Sequence, residues 1–242
     1  FDVLAMRRLI IENIGPIKHV DLELAKVNVF VGPQGAGKST LAKIISFCSW
    51  LEKHSSDDSV FLDAASKLKS YHRLASYFNP DSQIYYQGED IIYCYGWDKE
   101  QISMPERFEN ANVLSPNEKE TIWFAIGKSV NPKVIYIPAE RNFVASVPNL
   151  QDYMEDADSL QGFVVDWYNA KRRYTSSTPL PVLDLDVRFY SSDNTPDSLM
   201  LKNGTPVPLA ASASGYQSLI PILTVVDWLS SGIYKTNKPF SP

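Results

Sequence analysis

The run Val27-Asn28-Val29-Phe30-Val31-Gly32-Pro33-Gln34-Gly35-Ala36-Gly37-Lys38-Ser39-Thr40, continued by Leu41-Ala42-Lys43-Ile44-Ile45, decides the fold. Apolar residues alternate with small ones, then comes Gly-x-x-x-x-Gly-Lys-Ser, then a helix-forming segment. This is the strand, loop and helix order of a Walker A phosphate-binding site. Its glycines let the backbone curl so that successive N–H groups and the helix N-terminus face one anionic centre. In that arrangement Gly32, Pro33, Gln34, Gly35, Ala36, Gly37, Lys38, Ser39 and Thr40 surround the phosphates. Lys38 reaches the outer phosphates and Ser39 offers its hydroxyl to Mg2+. The ligand expected first is a nucleoside triphosphate, ATP. The alternative, a Gly-rich turn that matches by chance, sits poorly with a fitting strand and helix on either side.

Upstream, Arg8-Leu9-Ile10-Ile11-Glu12-Asn13-Ile14 and Val20-Asp21-Leu22-Glu23-Leu24 read as two strands separated by Gly15-Pro16 turn chemistry, and Val27 to Val31 reads as a third. Three strands ahead of the phosphate loop, the first two antiparallel, differ from the simple opening of a kinase-like or small GTPase fold. The run Leu9 to Ile17, the run Asn28 to Gly32 and Gly35-Ala36-Gly37-Lys38-Ser39-Thr40 together resemble the N-terminal head of ABC-type ATPases of the SMC, RecF and OLD-like groups. Those proteins act in chromosome maintenance, DNA repair and anti-phage defence rather than in transport. The resemblance implies an α/β P-loop NTPase with an antiparallel β subdomain and a helical lobe.

Bulk properties narrow the class. The chain has 242 residues, 44% hydrophobic and 21% charged, as in an ordinary globular protein. With 23 Lys+Arg against 28 Asp+Glu the net charge is -5, so no dominant nucleic-acid surface is advertised, although a local basic stripe or a partner could supply one. Cys48 and Cys94 lack metal spacing and read as reduced core residues of a cytoplasmic protein, with a disulfide as the alternative. No apolar run approaches the roughly twenty residues of a membrane-crossing helix. Phe1 to Ala5 lacks the charged region of a signal peptide, and Met6 is a candidate natural start.

Along the chain, the phosphate-loop helix is expected from Lys38 through Trp50, followed by a polar break at His54 to Asp58 and a second helix from Val60 to Tyr77. His54 and His72 are expected to be solvated helix residues rather than ligands, for want of Cys or carboxylate at metal spacing. Gln83 to Tyr95 reads as a hairpin, and its Gln87-Gly88-Glu89 resembles the Q-loop wording of some SMC-like heads. A surface loop is expected over Asp98 to Asn117, a helix over Lys119 to Val130 and a buried strand over Lys133 to Ile137. Beyond that strand lies Pro138-Ala139-Glu140-Arg141-Asn142, wording similar to OLD-like defence ATPases. Polar groups past a buried strand are where open α/β sheets place ligands, so Glu140, Arg141 and Asn142 are catalytic candidates, with an ion-paired loop as the alternative. Ser159 to Arg173 reads as a helix closed by basic residues, and Asn203-Gly204 as a turn between two short strands.

The second motif is Ser214-Gly215-Tyr216-Gln217, directly before the apolar helix Leu219 to Leu229. It resembles the ABC signature Ser-Gly-Gly-Gln, with Tyr216 in place of the second glycine. The resemblance implies that Ser214, Gly215 and Gln217 contact the γ-phosphate held by another subunit, again at a helix N-terminus. A plain N-cap serine is the alternative.

A Walker B strand ending in Asp-Glu is expected after the signature helix in such a head, followed by a switch histidine. Leu223-Thr224-Val225-Val226-Asp227 and Val182-Leu183-Asp184-Leu185-Asp186 mimic the first superficially. The former lies inside the signature helix, with Trp228 where glutamate is needed, and the latter is out of order. The expectation is an incomplete head, the N-terminal part of a longer ATPase or one chain of a split one, hydrolysing weakly alone. Residues 1–50 form its Walker A lobe, 51–150 a β and helical insertion, and 151–242 a helical lobe carrying the signature. The partners this implies are a homodimer or heterodimer with ATP between the heads, and a nuclease or effector protein. A nucleotide-sensing scaffold and a P-loop phosphotransferase are competing readings.

Overall fold

The computed structural model describes residues 7–54, 58–124, 133–147, 150, 158–183, 185–192 and 195–231. Strand β1 (Arg7–Ile14) turns at Gly15-Pro16 into β2 (Ile17–Leu24), and the two pair antiparallel with Leu9 opposite Leu22 and Ile11 opposite Val20. Asn13 and Gly15 take φ of 53° and 54° to make that turn. The hairpin expected further along is present as β3 (Gln83–Gln87) and β4 (Ile91–Tyr95), and β3 adds to the free edge of β1. Strands β5 (Asn112–Asn117) and β6 (Glu120–Phe124) complete a six-stranded antiparallel sheet in the order β2-β1-β3-β4-β6-β5.

Helices α1 (Lys38–Lys53) and α2 (Ala64–Tyr71) cover one face of this sheet. Ile44, Phe47, Cys48 and Leu51 of α1 and Leu68 of α2 share a core with Leu9, Ile11, Ile84, Tyr86, Tyr93 and Ile122. Burial of this apolar face, at about 25 cal/mol per Å2, is the main stabilising term. On the other face Tyr85, Ile92, Cys94 and Trp123 are covered by the segment containing Phe108.

Two expectations fail in this unit. Lys119 to Val130 was expected to be helical, yet Glu120–Phe124 is a strand buried at every position, paired with β4 on one side and β5 on the other. The Thr-Ile-Trp-Phe core suits a sheet, and residues 125–132 lie outside the described residues. Val27 to Val31 was expected to be the strand that delivers the phosphate loop. It pairs with no strand among the described residues, and Val27, Val29 and Val31 are 76%, 80% and 91% exposed. A strand needs a ladder partner, which neighbouring residues cannot supply. Residues 133–137, expected to be a strand, belong to neither sheet among the described residues and are half-buried. Within the expected loop Asp98 to Asn117, β5 joins the edge of the sheet and the buried Phe108 packs on its face. The second helix is shorter than expected, closing at His72 before Arg73 takes a φ of 54°.

The chain divides into two compact units, the first ending at Tyr136 and the second starting at Ile137. In the second, a four-residue helix α3 (Phe143–Ser146) precedes α4 (Ser159–Lys171), whose N-cap Asp158 accepts from the backbone N–H groups of Leu160 and Gln161 at 2.8 and 2.9 Å. Strands β7 (Leu180–Pro181), β8 (Val187–Tyr190), β9 (Ser198–Leu201) and β10 (Pro206–Pro208) form an antiparallel meander, with Asn203-Gly204 at its last turn as expected. Helix α5 (Ser214–Ser230) follows and packs against α3 and α4.

Candidate nucleotide site

The phosphate loop is built by its glycines. Gly35 and Gly37 adopt φ of 79° and 91°, which side-chain-bearing residues rarely reach, and α1 starts at the next residue, Lys38. Gly37 also lies against the β1–β2 turn, where a Cβ would stand 2.7 Å from Ile17 Cγ1. The first intrahelical bond of α1 runs from Leu41 N–H to Gly37 C=O at 2.8 Å. That leaves the N–H groups of Lys38, Ser39 and Thr40 without a partner among the described residues, three of the orphan donors a helix start exposes. The Thr40 side chain is buried, so its contribution is its backbone N–H.

Lys38 extends back over the loop. Its Nζ donates to the carbonyl oxygens of Gly32 and Pro33 at 2.8 and 2.6 Å. The ammonium therefore has only neutral acceptors there, and a phosphate oxygen offers it a stronger, charged one. Beside the loop is a cavity of about 400 Å3, lined by Pro16, Ile17, Lys18, His19 and Val20 of the β1–β2 hairpin, by Val29 to Val31, and by Ala36, Gly37, Lys38 and Leu41. Orphan N–H donors, the Lys38 ammonium, the Ser39 hydroxyl and an adjoining cavity fit a nucleotide phosphate chain with its Mg2+. Among the described residues no group of three His, Cys, Asp or Glu side chains could hold a metal by itself.

In the second unit the two other predicted stretches meet. Glu140, Arg141 and Asn142 form a 3-10 turn over Ala139–Asn142, and that turn packs against α5. Arg141 Nε donates to the carbonyl of Ser218 at 3.2 Å, and Arg141 Nη1 to that of Pro138 at 3.2 Å. Glu140 is exposed. Ser214 and Gly215 begin α5 and are exposed, while the N-cap position is Ala213, which has no capping side chain. Ser214 thus stands inside the helix and is not the N-cap serine of the alternative reading. Gln217 is committed: its Nε2 donates to Ala210 C=O and Ser212 C=O at 2.9 Å each, and its Oε1 accepts from the Ser146 hydroxyl at 3.1 Å. Its amide holds the turn that leads into α5.

The remaining predicted groups fall elsewhere. Gln87-Gly88-Glu89 ends β3 and makes the hairpin turn, where Gln87 Oε1 accepts from Tyr85 Oη and the buried Glu52 carboxylate accepts from the Glu89 N–H at 2.5 Å. Asp227 lies within α5 and accepts from the Tyr174 hydroxyl, whose pKa is raised by burial and by that bond. Asp186 is ion-paired with Lys202 at 2.6 Å, and Asp184 lies outside the described residues. Cys48 and Cys94 are free and buried, and burial pushes the Cys94 thiol up to about 12. His72 was expected to be solvated, yet it is 2% exposed. Burial, with the Lys43 charge adding to it, lowers its pKa to about 3. The sequence offered one missed signal: Glu52 at the end of α1 is an acidic residue on an otherwise apolar face, and it proves to be a buried anchor.

Among the described residues no helix is long and apolar enough to cross a membrane. No curated protein and no solved structure matches the chain. Residues 8–162 match the AAA domain family, a span that starts in β1, contains the whole phosphate loop and covers more than half of the chain. The chain therefore belongs to the AAA domain family of P-loop ATPases.

Proposed function

We propose that the chain is an ATPase head that binds ATP and Mg2+ at Gly32 to Thr40, and that Ser214 and Gly215 complete the ATP site of a second head, so that nucleotide draws two heads together. The observation that supports it most is the loop itself: two glycines at positive φ, three orphan N–H donors at the start of α1, and Lys38 resting on neutral carbonyls. On this reading Lys38 exchanges Gly32 and Pro33 for phosphate oxygens, and the N–H groups of Lys38, Ser39 and Thr40 take the remaining charge. Ser39 holds Mg2+ through its hydroxyl. When bound, Mg2+ neutralises charge building on the transferred phosphoryl group. Resemblance of Leu9 to Ile17 to SMC, RecF and OLD-like heads, and of Pro138 to Asn142 to OLD-like defence ATPases, supports a DNA repair or anti-phage defence process with a nuclease or effector partner.

The test is sedimentation of the chain across concentrations with Mg2+ and either ATP or a non-hydrolysable analogue, beside Lys38→Ala. Association with the analogue that relaxes in ATP, and is lost in Lys38→Ala, is the expected result. Equal, persistent association with both nucleotides would favour the nucleotide-sensing scaffold, and no nucleotide-dependent association would overturn the two-head reading.

A further inference from the structure

Helix α5 carries Pro221 in its interior, buried and eight residues into a helix of 17. Proline has no N–H, so the carbonyl of Gln217 loses the donor that the helical ladder would supply, and the ring crowds that carbonyl. The stretch Ser214 to Ile220 is thus tied less firmly than usual to the remainder of the helix. It also lacks a capping side chain at Ala213. Such a helix end needs support from outside itself.

That support comes from one short segment and meets the helix at two successive residues. Arg141 Nε donates to Ser218 C=O at 3.2 Å. The Ser146 hydroxyl lies 3.1 Å from Gln217 Oε1 and 2.8 Å from Asn142 C=O, so its single proton is shared between its own segment and α5. Gln217 passes the restraint on through its Nε2 to Ala210 C=O and Ser212 C=O, fixing the chain just before Ser214. The grip therefore falls where the proline weakens the ladder.

We propose that Arg141 and Ser146 are positioning residues that hold the part of α5 ahead of Pro221, and with it Ser214 and Gly215, in the setting that meets ligand. The final step rests on the ligand role proposed above for Ser214; the mechanical step does not. Displacement of residues 138–146 is passed to the start of α5, while the helix beyond Pro221 stays where the core holds it.

Hydrogen exchange on the 242-residue chain, read separately for 214–220 and 223–229, tests the mechanical step. Ser146→Ala and Arg141→Ala should speed exchange about fivefold to tenfold in 214–220 alone, the effect of losing one partly buried hydrogen bond. Ser146→Thr, which keeps the hydroxyl, should restore the slow rate. Unchanged exchange, or equal acceleration on both sides of Pro221, would overturn the proposal. Association driven by the non-hydrolysable analogue tests the ligand step: Ser146→Ala should weaken it about tenfold, with nucleotide affinity of the isolated chain unchanged and Ser146→Thr restoring it. Full association in Ser146→Ala despite faster exchange would also overturn the proposal. If the unmodified chain fails to associate, the two-head reading falls, and the exchange result alone decides the positioning role.

Discussion

Gly37 is pressed against Ile17: a Cβ at position 37 would stand 2.7 Å from Ile17 Cγ1, and the residue holds a φ of 91°. Gly35, two residues earlier, has a φ of 79° and open space around it. Both positions need left-handed backbone, but only Gly37 also needs the missing side chain. Gly35→Ala should therefore cost about 1 kcal/mol of stability, and Gly37→Ala about 2–4 kcal/mol, since strain and overpacking add. Urea unfolding of the two variants checks the order, and equal losses would show that the β1–β2 turn yields easily.

Glu52 ties the end of α1 to the β3–β4 turn. Its carboxylate accepts from Tyr86 Oη at 2.8 Å and from Glu89 N–H at 2.5 Å, and Arg7 lies 3.5 Å away. Glu52→Ala leaves the buried Tyr86 hydroxyl and the Glu89 N–H without this acceptor, while Arg7 keeps Glu89 at 3.2 Å, so a loss of about 2–4 kcal/mol is expected. A Cβ on Gly88 would meet Glu52 Oε1 at 2.4 Å. Gly88→Ala should accordingly be costly in the native background and much less so beside Glu52→Ala, a non-additivity that a double-mutant cycle in urea measures.

His72 contributes to the acid limb of stability. Its folded pKa is lowered to about 3 by burial, with the Lys43 charge adding to it, whereas an unfolded histidine titrates at about 6.5. The unfolded chain therefore binds the extra proton first. The contribution of neutral His72 is fully present above about pH 6.5 and is lost as pH falls towards 3, at on the order of 1 kcal/mol per pH unit. His72→Phe should flatten the decline between pH 6 and pH 4, measured as urea midpoints. An unchanged slope would mean that His72 is protonated in the folded state.

The features legible in the sequence were those written in local chemistry. The β1–β2 and β3–β4 hairpins, the phosphate loop, the start of α1 and the Asn203-Gly204 turn depend on residues a few positions apart. Val27 to Val31 and Lys133 to Ile137 carry strand composition, but a strand exists only with a ladder partner, and the described residues pair neither. Glu120 to Phe124 misled in the opposite sense: the stretch Lys119 to Val130 reads as a helix, while β4 and β5 offered two pairing edges. Motif spacing put Lys38 and Ser39 at the start of one helix and Ser214 at the start of another, as the structure has them. The use of Gln217 and Arg141 inside their own unit was not, since it depends on Ser146 and Ser218, each more than 70 positions from its partner. The burial of His72 was hidden for a similar reason: it has a distant neighbour in Tyr136, whose ring is 5.2 Å from the imidazole.

The claim that Gly32 to Thr40 forms a nucleotide site is tested most directly by calorimetric titration of Mg2+-ATP into the native chain and into Lys38→Ala. Among the described residues Lys38 Nζ bonds to the Gly32 and Pro33 carbonyls of its own loop, so the variant should keep its thermal stability. Saturable binding by the native chain, weakened at least tenfold in a fully folded Lys38→Ala and reduced when Mg2+ is chelated, is the predicted result. Equal binding by the two proteins, or no binding by the native chain, would contradict it.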